Sequence, residues 1–316
     1  MEGGKRMKVG FWDVESKEDM LYKGHWACQG CGGALAFKLV LQTLGPNTVV
    51  TIPACCWTIL AGPFPLSSLK IPLFHTAFET AAITAAGIKA GFTIQGKEDI
   101  NVLAWAGDGG TFDIGIQALS GVAEKNMDII YVCYDNEAYM NTGIQRSSAT
   151  PYKAWTTTTP ARHPQDRPKK DLVKIMAAHK IPYVATATIA YPQDLINKVR
   201  KIKKMKGTRF LHILAPCPPG WKMSSELSVK VSRLAVKTGA FVLYEIEDGK
   251  KYTLNCRKEN IPIVEYLKMQ GRFKHLKQED VKGIEEMMEE YYKEIERLHV
   301  LAHGSVDNVP YASEYS

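Results

Sequence analysis

The sequence predicts an α/β fold in which a mainly parallel sheet is flanked by helices. Two stretches carry that expectation. Residues 101–136 run as an apolar strand (NVLAWAG), a glycine turn, a helical segment and a second apolar strand (DIIYVCYD). Residues 182–217 again give strand, helix and strand. Apolar strands joined by helices belong to a sheet covered on both faces. With 316 residues, 45% of them hydrophobic, the chain can bury one large core.

Taken in order, residues 24–45 lead into a helix on which Leu35, Leu39 and Leu44 share a face, ended near Gly45. TVVTIPA at 48–54 reads as a buried strand, and alanine-rich Thr76–Ala90 as a closely packed helix. The strand at 101–107 runs into the turn Gly107–Gly110, followed by a helix over Asp113–Ala123 and a strand over 128–136. That order puts Gly107–Gly110 and Asn136 at strand C-terminal ends, where open α/β sheets bind cofactors. Residues 139–171, rich in Thr, Ser and Pro, read as a long active-site or interface loop. A strand at 182–189, a helix over Gln193–Met205 and a strand at 209–217 follow, then a hairpin at 241–254 turning at Asp248–Gly249. The tail carries a charged helix over Val281–Leu298. There is no internal repeat. The expected organisation is an N-terminal arm at 1–24, one domain at 25–255 and a partly helical C-terminal extension at 256–316 that contacts other subunits.

The formal net charge is +7, with basic residues concentrated in Arg162–Lys180 and Lys198–Arg209. No nucleic-acid recognition motif accompanies them, so solvated helix faces or an acidic protein partner are expected instead of nucleic acid. No secretory signal and no membrane-length apolar run is found, which points to a cytoplasmic protein with no membrane contact. An odd number of cysteines, seven, with two close pairs, suits thiols or metal ligands better than disulfides.

Cys28-Gln-Gly-Cys31 is followed by Gly32-Gly33. Two thiolates at this spacing can chelate one metal ion or cluster, and glycines let backbone N–H groups approach inorganic sulfide. Cys55-Cys56 and Cys217 stand at strand ends. Four thiolates from three places suit a [4Fe–4S] cluster, with structural zinc and a redox dithiol as alternatives. One of Cys55 and Cys56 is expected to be spare, and Cys133 and Cys256 read as ordinary thiols. Gly107-Asp108-Gly109-Gly110-Thr111, a helix, a strand and then Asn136 form a second constellation. Its glycines allow a diphosphate to approach the backbone, while Asp108, the Asn136 side-chain oxygen and the Ala138 carbonyl can hold Mg²⁺. GDGGTFDIG does not give the dinucleotide pattern GxGxxG, so a nicotinamide cofactor is not expected.

From about His25 to Lys250 the sequence resembles the beta subunits of pyruvate:ferredoxin and related 2-oxoacid:ferredoxin oxidoreductases. The resemblance is most specific in GHWACQGCGG, GDGGTFDIGIQALSG and YDNEAYMNTGIQRSSATPYKAWTTT. It implies a thiamine-diphosphate-binding fold, with Asp108, Asn136 and Ala138 on Mg²⁺ and Gly107, Gly109 and Thr111 lining the diphosphate. It also implies one [4Fe–4S] cluster on Cys28, Cys31, Cys56 and Cys217. Asn141 and Thr142 would face the reactive pocket. His75 and Glu79, one helical turn apart, would line the cofactor pocket, and Arg146 would orient an anionic group or bind a neighbouring subunit. The implied reaction is oxidative decarboxylation of pyruvate with coenzyme A and reduction of ferredoxin. Partner subunits of alpha, gamma and delta type would complete the active site.

One departure bears on substrate. Cys55 precedes Cys56, and Thr58 stands where many pyruvate-cleaving relatives have glutamate. Oxalate, which needs no coenzyme A, is the alternative substrate, and branched or aryl 2-oxoacids are others. A non-redox thiamine-diphosphate enzyme would leave the cysteines idle, and a zinc-stabilised interaction protein would leave the GDG…N constellation idle.

Overall fold

The computed structural model describes residues 18–63 and 65–315; most of the expected N-terminal arm lies outside the described residues. Helix α1 (Gly32–Leu44) leads to β1 (Thr48–Pro53), α2 (Cys56–Leu60) and β2 (Leu73–Thr76). Then come α3 (Ala81–Ile94), β3 (Asn101–Gly107), α4 (Ile116–Glu124), β4 (Ile130–Asp135) and α5 (Leu172–Ala178). The chain continues through β5 (Tyr183–Thr188), α6 (Pro192–Lys204), β6 (Arg209–Leu214), α7 (Pro218–Trp221) and α8 (Ser228–Lys237). The hairpin β7 (Tyr244–Glu247) and β8 (Lys251–Leu254) precedes α9 (Val264–Leu267) and α10 (Gln278–His303).

Among the described residues the strands form one sheet in the order β2-β1-β3-β4-β6-β5-β7-β8. The first six are parallel, and β7 and β8 add antiparallel at the edge. Side chains alternate between two cores, as the two-residue strand period requires. On β3, Leu103 and Trp105 pack under α1 and α6, while Val102, Ala104 and Ala106 pack under α3, α4 and α5. Phe37 of α1 stacks on Trp105 with ring centroids 4.4 Å apart. The hairpin turns through Asp248 (φ 51°) and Gly249 (φ 66°), two left-handed residues that match the right-handed twist of paired strands.

The parallel α/β expectation agrees with this architecture; several local expectations do not. The helix expected over Thr76–Ala90 begins only at Ala81, because Leu73–Thr76 pairs with β1, Ile52 opposite His75. That strand is too short for its period to show in the sequence. The helix expected from Asp113 opens earlier, as a π-helical turn over Gly109–Ile114.

Residues beyond 255 fold back onto the sheet. Tyr291 pairs hydroxyl to hydroxyl with Tyr244 at 2.7 Å, and His299 Nδ1 accepts from the Leu254 N–H at 3.1 Å. The second basic run is divided: Lys198 and Arg209 are buried in ion pairs, while Lys204 and Lys206 are exposed. Lys198 is buried against Asp194 at 2.7 Å, Lys201 bridges Glu245 and Glu247, and Lys206 and Arg209 meet Asp128. No described helix is long and apolar enough to cross a membrane.

Candidate functional site

β1 has β2 on one side and β3 on the other, so the chain changes direction across the sheet at the β1/β3 boundary. Connections leaving opposite ways open a crevice at the strand C-terminal ends. Cys55 and Cys56 follow β1 there, Gly107–Gly110 follow β3, Asn136 follows β4 and Cys217 follows β6.

The thiols of Cys31, Cys56 and Cys217 stand at the starts of α1, α2 and α7. N–H groups of Gly33 and Ala34 point to Cys31 sulfur, and that of Gly220 to Cys217 sulfur. Such donors favour thiolates. Burial, then the nearby Cys31 and Cys28 thiols, nevertheless push Cys217 up to about 12 despite the Gly220 bond. Burial, then Cys55, Cys217, Cys31 and Asp108, push Cys56 higher still. These mutual effects put Cys28, Cys31, Cys56 and Cys217 in one neighbourhood. Four close thiols cannot all ionise without a cationic centre among them, and the converging amides suit one that holds them as thiolates. A set of four thiols met by backbone amides is chemically of the kind an iron–sulfur cluster uses, but among the described residues no three His, Cys, Asp or Glu side chains close on a single metal ion. Cys55 lies beside Cys56 but has partners of its own. Its thiol meets the Tyr134 hydroxyl and the N–H groups of Trp57, Thr58 and Gly107.

Backbone contacts, independent of any metal, hold the two outer cysteine segments together. Gly30 has φ 72°, and a Cβ there would overlap the Ser225 carbonyl oxygen. Its own carbonyl accepts from Ser228 Oγ at 2.6 Å, and the Gly32 N–H donates to the Pro216 carbonyl at 3.0 Å.

Asp108, Asn136 and Ala138 are all buried and meet at one point. The Asn136 carboxamide oxygen lies 2.8 Å from the Ala138 carbonyl oxygen and 2.9 Å from Asp108 Oδ1. Turned by half a turn, the amide donates to both acceptors; a cation between these groups would instead draw the carboxamide oxygen towards it. Neighbouring oxygens of an octahedron with Mg²⁺–O bonds near 2.1 Å lie about 3 Å apart, so with the amide oxygen turned inward the three positions have the spacing of part of such a shell. Burial, then the neighbouring Asp135, push the Asp108 carboxyl well up, a penalty that a divalent cation would reverse. Ser147 donates to Asp108 Oδ2 at 2.5 Å, Thr111 donates to the Gly107 carbonyl at 2.7 Å, and Trp221 Nε1 donates to the Asn136 carbonyl at 2.8 Å. At Gly109 a side chain would overlap the Tyr139 ring, which keeps the turn bare. The Asn136 amide nitrogen is 4.0 Å from Cys56 sulfur, so the oxygen and thiol groups share a wall.

The pocket-facing expectations fare unevenly. Asn141 and Thr142 are exposed; Asn141 donates to the Cys55 carbonyl at 3.2 Å and Thr142 to the Tyr139 carbonyl at 3.2 Å. His75 and Glu79 are not one helical turn apart. His75 is in β2 and Glu79 in the turn before α3, both exposed, because β2 pairs with β1 before the helix can start. Next to them, Phe78 reaches the Tyr139 ring, with centroids 5.9 Å apart. Arg146 hydrogen-bonds Gln165 at 3.3 Å.

Behind the oxygen group lies a charged network that sequence reasoning missed. Asp135 accepts from Lys169 and from His212 Nε2, the latter at 2.7 Å. Glu137 takes Lys169 at 3.0 Å and Arg272 at 2.5 Å, and Arg272 also lies over Trp221, 3.9 Å from the ring centre. Glu137 has φ 69°, a left-handed conformation that costs a non-glycine residue and is fixed here by these bonds. Three polar residues in a row after an apolar strand (Asp135, Asn136, Glu137) were the available signal. Arg272, 135 positions from Glu137, gave none.

Comparison with known proteins agrees with the fold. Residues 57–213 match the family described as thiamine pyrophosphate enzyme, C-terminal TPP binding domain. The chain is 50% identical over 292 residues to ketoisovalerate oxidoreductase subunit VorB of Pyrococcus furiosus, covering 89% of this chain and 94% of that one. It is 48% identical to pyruvate synthase subunit PorB of Methanocaldococcus jannaschii, covering 88% and 96%. Among solved structures, 2-oxoglutarate:ferredoxin oxidoreductase from Magnetococcus marinus has the same fold, with TM-score 0.53 and 20% identity over 72% of this chain and 82% of that one. The chain belongs to the family of 2-oxoacid:ferredoxin oxidoreductase beta subunits, enzyme subunits built on a thiamine-pyrophosphate-binding domain.

Proposed function

We propose that this chain is the cofactor-binding subunit of a complex that oxidatively decarboxylates a small 2-oxoacid, pyruvate foremost, with coenzyme A, and passes the electrons to ferredoxin. In this reading Asp108, Asn136 and the Ala138 carbonyl hold Mg²⁺ and thereby the diphosphate of the cofactor. Cys28, Cys31, Cys56 and Cys217 hold one [4Fe–4S] cluster. The observation that carries it is the shared wall: the oxygen and thiol groups meet at Asn136, 4.0 Å from Cys56 sulfur. When bound, thiamine diphosphate supplies the carbon–carbon cleavage and the cluster takes up electrons one at a time.

The chain's own residues position and insulate. Ser147 fixes the Asp108 carboxylate through a 2.5 Å bond, and Gly109 leaves the diphosphate room to approach the backbone. N–H groups at the starts of α1 and α7 offset the negative charge of the cluster thiolates. Asn141 and Thr142, exposed at the rim, face the space that subunits of alpha, gamma and delta type would close.

A branched 2-oxoacid is the second reading, supported by the similarity to subunits named for ketoisovalerate. Oxalate finds no support among the relatives. The test is anaerobic viologen or ferredoxin reduction by the purified complex, comparing pyruvate and ketoisovalerate, each with coenzyme A, and oxalate without it. Preferred turnover of pyruvate supports the first reading and preferred turnover of ketoisovalerate the second. No reduction with any 2-oxoacid, by a complex that holds its cluster and thiamine diphosphate, refutes both.

A further inference from the structure

The proposed cluster and Mg²⁺ sets both leave Cys55 out, yet every polar atom of this residue is engaged, and with different elements of the site. Its N–H donates to Thr58 Oγ1 at 3.1 Å, and that hydroxyl donates in turn to the Pro53 carbonyl at the end of β1, at 2.9 Å. Its carbonyl accepts from the Thr58 N–H and from the Asn141 carboxamide at the rim, each at 3.2 Å. Its sulfur takes the N–H groups of Trp57, Thr58 and Gly107 and the Tyr134 hydroxyl.

These partners lie on both sides of the crevice. Gly107 is the last residue of β3 and opens the turn that carries Asp108, and Tyr134 stands two positions before Asn136 in β4. On the other side Cys55 caps α2, whose first residue is Cys56. The contact is close. A Cβ at Gly107 would lie 3.2 Å from the Tyr134 hydroxyl oxygen and 3.6 Å from the Cys55 Cβ, which puts the end of β3, the phenol and the Cys55 side chain in packing contact. One side chain thus ties the turn bearing a cluster thiol to the two strand ends that present the oxygen group.

We propose that Cys55 is a positioning residue that couples the two groups: its sulfur holds the Gly107–Asp108 turn against the Cys56 turn, so that each site responds to the state of the other. The inference rests on the proposed pairing of thiamine diphosphate with an iron–sulfur cluster. Coupling between two sites is reciprocal, so the redox state of the cluster changes the affinity for the cofactor. The test is calorimetric titration of the purified, anaerobic complex with thiamine diphosphate and Mg²⁺, once oxidised and once reduced. In the parent the two affinities should differ by about fivefold, the low end of ordinary couplings. Cys55→Ala should bring their ratio close to one, and Cys55→Ser, which keeps an acceptor for the same donors, should preserve it. A purely structural role would weaken both affinities by one factor and leave the ratio alone. Tyr134→Phe removes one donor to the sulfur and keeps the ring stacked on Trp105, so it should lower the ratio partway, including where the alanine variant fails to assemble. Equal affinities in the two states of the parent, an unchanged ratio in Cys55→Ala or Tyr134→Phe, or a ratio lost in Cys55→Ser overturns the inference alone. A complex that binds no thiamine diphosphate, or holds no cluster, overturns the proposed function and this inference with it.

Discussion

Replacing Arg272 by alanine tests whether the network behind the candidate site holds the turn that presents Asn136 and Ala138. The guanidinium pairs with Glu137, and both side chains are nearly inaccessible, at 3% and 6%. Removing one partner of a buried pair costs about 3–5 kcal/mol, because the other charge stays buried. Lys169 remains 3.0 Å from Glu137, which argues for the lower end, about 3 kcal/mol. Loss of the guanidinium from the Trp221 ring adds about 1 kcal/mol. A chain of this size loses roughly 2 °C per kcal/mol, so the thermal midpoint should fall by about 8 °C. Since Glu137 sits at φ 69° between the two oxygen-bearing residues, freeing it should also loosen the diphosphate site, weakening thiamine diphosphate binding by about fivefold or more. The assay is differential scanning fluorimetry with calorimetric titration of the cofactor, repeated on Glu137→Gln and on the double variant. Adding Glu137→Gln to Arg272→Ala should restore part of the stability, because the orphaned charge is gone. A midpoint within 2 °C of the parent, or additive single effects, would refute the reasoning.

Three further outcomes are expected. Cys56→Ser should remove the broad visible absorption near about 400 nm expected of an iron–sulfur protein, whereas Cys55→Ser, which points at Tyr134 and the Gly107 N–H, should keep it; loss in both or in neither would disprove the distinction. Gly30→Ala should destabilise the fold by more than about 1 kcal/mol, since φ is 72° and the methyl overlaps the Ser225 carbonyl, while Gly24→Ala, with open space around it, should be neutral in the same urea titration. Burial pushes the Asp135 carboxyl up, but Lys169 and the His212 hydrogen bond outweigh it and hold it at about 2, below its ordinary 3.8. A depressed carboxyl contributes stability that is present above its unfolded value and lost as pH falls through the folded one. The urea midpoint should therefore drop between pH 4 and pH 2, and an equally steep drop in Asp135→Asn would show that another group is responsible.

What the sequence revealed and what it hid divide along physical lines. Strands buried on both faces, such as β3 and β4, announce themselves as apolar runs, and the glycine turn after β3 marks a strand end. Residues at such ends are legible because a sheet gathers them whatever the detailed packing; Asp108, Asn136 and the pair Cys55-Cys56 are read this way, whereas the choice of Cys56 comes from the family resemblance. His75 and Glu79 misled because a four-residue strand has no period to detect, so their spacing was taken for a helix. The charged network was hidden for a different reason. Its members Asp135, Glu137, Lys169, His212 and Arg272 come from distant segments, and a buried lysine or arginine looks in sequence like any surface one. The same blindness made Lys198 and Arg209 look like part of an outward basic face.

The interlock between the Gly30 loop and residues 216–228 has a consequence for how the protein is made. Cys28 and Cys31 leave the ribosome early, but the groups that seat their loop, Pro216, Ser225 and Ser228, follow almost two hundred residues later. Until then the fourth sulfur, Cys217, is absent, and the sheet that would bring all four together lacks β6. A centre held by all four sulfurs would be delivered after most of the chain has been synthesised, into a socket fastened by the protein's own contacts and not by the incoming group.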